Sequence, residues 1–194
     1  MKLAVNSQSH RLTTSRPALV LSLASLASLV SCGASRIEGR VVNMAHPIES
    51  IAIAPGSGEI GEGVSQGLAD SKTFRGRVID SEQSAALLQQ LGIPSPKATL
   101  PENLPHLREA GVQAWLRLES TNALMGSAPR TVRVRLTSTH TPDQGVEFLW
   151  HNAWGGMPGS PADHMAKAGP LKAGQSIAAE LARILAELPS ASQP

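Results

Sequence analysis

The sequence predicts one α/β domain: a mixed β-sheet with a late antiparallel hairpin, helices packed on the sheet and a closing C-terminal helix. Three observations carry that expectation. Short apolar runs at residues 50–54 and 77–79 are each followed by a helical pattern. Two alternating runs, 131–139 and 146–154, flank the turn residues Pro142, Asp143, Gln144 and Gly145, as a hairpin requires. Residues 175–188 place Ile177, Leu181, Ile184, Leu185 and Leu188 on one helical stripe.

Taken in order, residues 50–54 form an apolar strand stopped by Pro55, and a glycine-rich turn fills 56–63. Residues 64–71 read as a short helix with Val64 and Leu68 on one side. After the strand at 77–79, Asp80 or Ser81 caps a helix over 82–91, in which Ala85, Leu88 and Leu91 recur at helical spacing and Gly92 ends the run. Pro94, Pro96, Pro101 and Pro105 mark a loop, and a short helix over 104–110 closes at Gly111. Residues 112–120 alternate as a strand, with Ala114, Leu116 and Leu118 on one face and Trp115, Arg117 and Glu119 on the other. In the next strand Val132, Val134 and Leu136 face inward, and Arg133, Arg135 and Thr137 outward. A loop over 155–174 precedes the last helix, so the expected order is β-α-β-α-α-β-β-β-α.

The 194 residues suit one domain once a leader is set aside. Aromatic content is only 3%, so the core is aliphatic and surfaces for stacking bases or sugars are scarce. Lys2, Arg11 and Arg16 fall in the first 31 residues, which carry no Asp or Glu; without them 14 basic residues face 15 acidic ones, a net charge of −1. A protein that tracks phosphates carries a basic field, so nucleic acid is not an expected partner.

Residues 1–31 are built like an export signal: a positive head, then thirteen residues from Ala18 to Val30 that are only Leu, Val, Ala and Ser. That run is too short to cross about 30 Å of hydrocarbon, which takes about 20 residues. Leu29, Val30, Ser31 and Cys32 resemble the lipobox of bacterial lipoprotein precursors. The resemblance implies cleavage between Ser31 and Cys32, diacylglycerol on the Cys32 sulfur and an acylated (commonly palmitoylated) amino terminus. The acyl chains would anchor the protein to a membrane. Gly33, rather than Asp, implies the outer membrane of a Gram-negative host with the domain facing the periplasm. Residues 32–49 are then expected to be a lipidated tether of at most about 60 Å, 50–188 the folded domain and 189–194 a tail.

Two motifs carry chemistry. Gly56, Gly58 and Gly61 fit G-x-G-x-x-G after a strand, and Asp80 ends the next strand, the arrangement by which dinucleotide sites seat a pyrophosphate and a ribose. Against it stand Pro55 and the thin helix that follows. Gly63, Ser65 and Gly67 fit G-x-S-x-G, the elbow that raises a nucleophilic serine, with Asp143 and then His151 or His164 in the appropriate chain order. The elbow needs its serine directly after a strand, whereas the preceding strand ends near Ala54. The six histidines, His10, His46, His106, His140, His151 and His164, show no His-x-His or His-x₃-His spacing. Asp163 and His164 are the one adjacent acid–imidazole pair, and Cys32 is the only cysteine. No metal or other cofactor is expected. Arg117, Arg133 and Arg135 gather on one sheet face, where cross-strand pairing with Glu119 and Glu147 is the simpler expectation. Trp150 and Trp154 are candidates for core anchors or a contact surface.

The blocks "IAIAP", "GRVIDSEQSAALLQQLGI", "LREAGVQAWLRLES", "RTVRVRLTSTHTPDQGVEFLWHNAW" and "SIAAELARILAEL" resemble successive segments of one superfamily. It includes the curli-secretion lipoproteins, the lipoprotein activators of penicillin-binding proteins and the TolB amino-terminal-like domains. The resemblance spans most of residues 48–188 and implies a non-enzymatic α/β envelope domain that binds an envelope protein or self-associates. No functional residue transfers one to one. The favoured function is a lipid-anchored, non-catalytic binding or assembly module. The alternatives are a lipid-anchored serine hydrolase using Ser65 and, more weakly, a nucleotide binder using the turn from Gly56 to Gly61. The binding reading expects Ser65 inside a helix with no histidine in hydrogen-bond reach.

Overall fold

The structure is a computed structural model. It describes residues 35–44, 46–121, 128–153, 160–161 and 167–188. The chain divides into two units, Met1–Cys32 and Gly33–Pro194, and every described residue lies in the second. That unit is a mixed α/β domain with a six-stranded sheet.

The elements are β1 (Arg36–Asn43), β2 (Ser50–Ile53), α1 (Gly58–Ala69), β3 (Arg77–Ile79), α2 (Ser81–Leu91), a 3₁₀ turn (Ser95–Lys97), α3 (Leu104–Glu109), β4 (Ala114–Thr121), β5 (Thr131–Ser138), β6 (Gly145–His151) and α4 (Pro170–Ala186). The sheet order is β1-β6-β5-β4-β2-β3. Strand β2 runs parallel to both β3 and β4, while β4-β5, β5-β6 and β6-β1 are antiparallel. The local rules of the parallel half demand helical crossovers, and α1 and the α2–α3 segment supply them.

One face of the sheet is covered by α1 and α4. Val64, Leu68, Ile177, Leu181 and Ile184 lie against Ile51, Ile53, Leu116, Val134, Phe148 and Trp150, all fully buried. Each such aliphatic side chain contributes about 1.5–3 kcal/mol by burial. The other face is covered only over β2, β3 and the start of β4, where α2 and α3 bring Leu88, Leu104 and Leu107 onto Ala52, Ile79 and Trp115. Three layers therefore become two across the sheet, and β5, β6 and β1 keep one face in water.

Five expectations need correction. Residues 36–43, assigned to the tether, are the edge strand β1, so the folded domain begins before Ser50. This strand gives no alternating signal because it is interrupted: the register with β6 shifts between Glu38 and Val41, at a bulge holding Gly39 at φ 65°. Helix α1 begins at Gly58 rather than Val64, so only Gly56 and the residues around it form the turn. Helix α4 begins at Pro170, a residue suited to a first helical turn, not at Gln175. In α2 the inward residues are Ser84 and Leu88, while Ala85 is exposed and Leu91 is 36% exposed. Strand β6 ends at His151, and Trp154 lies outside the described residues.

Candidate functional site

Ser31, Cys32, Asp163 and His164 lie outside the described residues. So does Trp154, whereas Ser65, Asp80, Asp143, His151, Trp150, the glycines of both motifs and the sheet-face arginines can be placed.

Ser65 sits within α1, two turns from its start, and not on a strand-to-helix elbow. Among the described residues no histidine makes a hydrogen bond to it; His151 stands on β6, where its Nδ1 lies 3.4 Å from the Thr131 hydroxyl, and Asp143 is in the β5–β6 turn. The two glycines of that motif have a packing role. A Cβ on Gly63 would collide with the Leu171 carbonyl oxygen and come within 3.1 Å of Gly174 Cα. A Cβ on Gly67 would lie 2.6 Å from Ala178 Cβ. Gly174 itself faces Ile60 O, Val64 N and Gly63 Cα. Gly63 and Gly67, one helical turn apart on α1, thus meet Gly174 and Ala178, one turn apart on α4, in a seam of small residues that lets two backbones touch. The signal in the sequence is a small-x₃-small spacing in both helices, which in α1 coincides with the serine motif.

The glycines of G-x-G-x-x-G have divided roles. Gly56 and Gly58 take φ 81° and 53°, which suits a tight βα turn, and Gly61 is buried in the first turn of α1. The turn occupies the carboxyl end of β2, between β3 and β4, where the strand order reverses and open α/β sheets commonly bind ligands. Its surroundings oppose a phosphate. The neighbouring cleft of ≈ 380 Å³ is lined by Gly58, Glu62, Ser65, Gln66, Asp80, Ser81 and Glu82, three carboxylates and no cation. Asp80 is already engaged as the cap of α2: its Oδ1 accepts from Gln83 N at 2.8 Å, and Gln83 Oε1 accepts from Asp80 N at 3.4 Å.

The uncovered sheet face is ordered in rows. Across β1, β6, β5 and β4 the register aligns Glu38, Leu149, Arg133 and Glu119 in one row, and Val41, Glu147, Arg135 and Arg117 in the next. Arg135 donates twice to Glu147, both at 3.2 Å, and Arg133 approaches the same carboxylate at 3.9 Å. Arg117 lies 3.9 Å from Glu119, and Arg36 donates to Glu38 at 3.2 Å. Each of the arginines Arg117, Arg133 and Arg135 thus lies beside a carboxylate, Arg117 along its strand and Arg133 and Arg135 sharing Glu147 across strands.

At the opposite end of the sheet from the carboxyl ends of the parallel strands, a cleft of ≈ 330 Å³ is lined by Met44, His46, Pro47, Ile48, Glu49, Gln113, Ser138, His140 and Gln144. Gln113 Oε1 accepts from Glu49 N at 2.7 Å, and Ser138 Oγ accepts from His140 N at 3.2 Å, so these groups brace the loops. Among the described residues no three His, Cys, Asp or Glu side chains gather as metal ligands, and no helix is long and apolar enough to cross a membrane.

Two polar clamps near the start of β1 had no sequence signal. Trp150, fully buried, donates Nε1–H to Ser176 Oγ at 3.1 Å, and Ser176 Oγ lies 3.0 Å from Ser35 Oγ. Asn152 donates to Pro129 O at 2.7 Å and Ala168 O at 2.9 Å and accepts from Ala168 N at 2.9 Å, spending both amide hydrogens and one oxygen lone pair on backbone. Trp150 is thus a core anchor with one polar contact.

At the far end of α4, Arg40 from the β1 bulge donates to Glu187 at 2.8 Å and holds its carboxyl below the usual range, with Arg183 adding to the effect. Arg183 is in turn raised by its hydrogen bond to Glu180.

No protein-family model and no curated protein matches the sequence. Among solved structures, the PelC dodecamer from Paraburkholderia phytofirmans matches with 10% identity and TM-score 0.44, over 81% of this chain and 100% of that one. A substituted form of that dodecamer in a second crystal form matches with 10% identity and TM-score 0.38, over 74% of this chain and 96% of that one.

Proposed function

We propose that the chain is the precursor of a lipid-anchored envelope lipoprotein, with the α/β domain serving as a non-catalytic binding or assembly module. The observation that carries the reading is the run from Lys2 to Cys32: positive head, short apolar segment and a lipobox-like end at the only cysteine of the chain. The fate of the serine and glycine-turn motifs supports the second half. Gly63 and Gly67 close a helix seam, Ser65 is carried on a helix, and Asp80 caps α2. The acidic lining beside the glycine turn weighs against nucleotide.

The test is expression of the whole chain in a Gram-negative host, beside Cys32→Ala. The proposal expects the intact mass of the mature protein to start at Cys32 with a diacylglyceryl group and one further acyl chain. It expects fractionation with outer membranes, and capture of the same envelope protein, or of a second copy, by wild type and by Ser65→Ala. An unmodified, unprocessed chain would refute the anchor. A hydrolase activity toward ester substrates that Ser65→Ala abolishes would refute the non-catalytic reading.

A further inference from the structure

The position of the first strand sets how such an anchored domain would stand on its membrane. Ser35 is tied to α4 through Ser176, and Ser176 to the buried Trp150. Only Gly33 and Ala34 lie between Ser35 and Cys32. Three Cα–Cα steps bound the separation of Cys32 and Ser35 at about 11 Å. A domain of this size has a radius of gyration of about 15 Å, so a leash that short cannot hold it clear of the surface to which Cys32 is fixed.

The end of the sheet at which Ser35 lies is well defined. Arg36, His151, Thr131 and Thr121 are register partners there. Asn152 ties Pro129 and Ala168 together beside them, Asn152 N donates to Arg130 O at 2.9 Å, and α4 begins two residues after Ala168. Arg36, with a side chain 75% exposed, and exposed Arg130 and Lys172 stand on this rim, and the carboxylates of the nearest cross-strand row, Glu38 and Glu119, are paired to Arg36 and Arg117. The acidic cleft of Glu62, Asp80 and Glu82 lies at the same end, beside the carboxyl end of β2, where Ile53 pairs with Leu116; β4 continues to Thr121, five residues or about 16 Å further.

The geometry points to a membrane-facing rim. On the lipoprotein reading above, the bilayer surface occupies the end of the sheet holding Ser35, Arg36, Arg130 and Lys172, and those cations meet headgroup phosphates. The opposite end, with the β5–β6 turn and the cleft of His46 and His140, points into the aqueous compartment and is the end a soluble partner meets.

The experiment uses the lipidated full-length product in vesicles of phosphatidylethanolamine and phosphatidylglycerol. The Cys32 sulfur is blocked as a thioether in that product, so a single introduced cysteine carries the only reactive thiol. Arg130→Cys and Asp143→Cys are labelled with one fluorophore and exposed to a lipid quencher placed at the headgroups. Quenching at position 130 is expected to exceed that at 143 several-fold. Lys172→Cys against His140→Cys repeats the comparison at independent positions. Equal quenching at the two ends in both pairs would overturn the orientation. Intact mass, measured first on the same samples, separates the two failures. No lipid on Cys32 overturns the lipoprotein reading itself, whereas lipid on Cys32 with equal quenching overturns only the membrane-facing rim.

Discussion

Replacing Gly174 by Ala should weaken the domain although Ala is the better helix former. A Cβ at Gly174 would collide with Ile60 O and lie 2.8 Å from Val64 N and 2.9 Å from Gly63 Cα, where ordinary contact begins at 3.4 Å. All three are backbone atoms of α1, so no side-chain rotation relieves them and the helices must part by at least about half an ångström. A gap of 0.5–1 Å forfeits roughly a quarter to a half of each dispersion contact along the seam. Here the seam includes Val64 and Leu68 against Ile177 and Leu181. Overpacking of this kind costs about 1–3 kcal/mol, and unyielding partners put Gly174 near the top of that range. Helix propensity returns about 1 kcal/mol, leaving a net loss of about 2 kcal/mol. With a urea m-value of about 2 kcal/mol/M, the unfolding midpoint should fall by about 1 M at unchanged m. Gly67→Ala probes the same seam differently, since its main obstacle is one methyl, Ala178 Cβ at 2.6 Å, with Gln175 Cα next at 3.3 Å. Ala178→Gly moves that methyl across the seam, so the double variant should return close to wild-type stability while each single variant loses. Gly169→Ala, whose Cβ meets nothing within 4 Å, is the uncrowded control, its cost limited to the N-cap preference for Gly over Ala. A Gly174→Ala protein as stable as wild type, or a Gly67→Ala loss that Ala178→Gly does not reverse, would refute the seam.

Three further outcomes follow from the geometry. Asp80→Ala should cost about 1 kcal/mol in urea unfolding, the usual worth of an N-cap, because its hydrogen bond to Gln83 N is lost; no change would dismiss the capping role. Ser176→Ala leaves the Trp150 indole N–H buried without its acceptor, at a cost of about 1–3 kcal/mol, read by unfolding and by the near-ultraviolet dichroism of the tryptophan. The Glu187 carboxyl is held down by Arg40 first and by Arg183 next. A depressed folded-state value contributes stability that is present above the unfolded value and lost as pH falls through the folded one. In Arg40→Gln the Glu187 titration, followed by carbon NMR, should therefore move up toward the ordinary 4.5, and an unmoved midpoint would place the cause elsewhere.

The elements that could be read from sequence are those in which one periodicity dominates. Val132, Val134 and Leu136 alternate with Arg133 and Arg135 because β5 has one face in the core and one in water. The α2 boundaries were legible because Asp80 and Gln83 complete a capping box and Gly92 takes a left-handed φ of 67°. Strand β1 was not, since a bulge splits it and its residues are exposed apart from half-buried Ile37. An edge strand touches the core on one side only, so it needs little apolar pattern. The start of α1 was hidden for a related reason: glycines at 58, 61 and 63 look like turn residues, yet Gly63 lies in the helix because α4 leaves no room for a side chain. Local propensity was overruled there by tertiary contact. Motif matches failed in the same way, since G-x-S-x-G describes a spacing, and a helix seam uses that spacing as readily as an elbow does.

The uncovered face of the sheet explains why the binding surfaces of the domain are better sought at its ends. Arg36, Arg117, Arg133 and Arg135 lie beside Glu38, Glu119 and Glu147 at 3.2–3.9 Å. Exposed pairs of this kind contribute little to stability. They do make the face costly to dehydrate. A partner lying flat on β5 and β6 would strip water from ions already matched to one another and would need equally good pairing in return. The ends of the sheet impose no such condition. At one, Arg36, Arg130 and Lys172 are exposed near the paired carboxylates Glu38 and Glu119; at the other, a cleft is framed by Met44, Ile48 and two exposed imidazoles. Polar pairing across the middle therefore favours a wet face and contacts at the two ends, as the proposed short-tethered module between a bilayer and a second component would require.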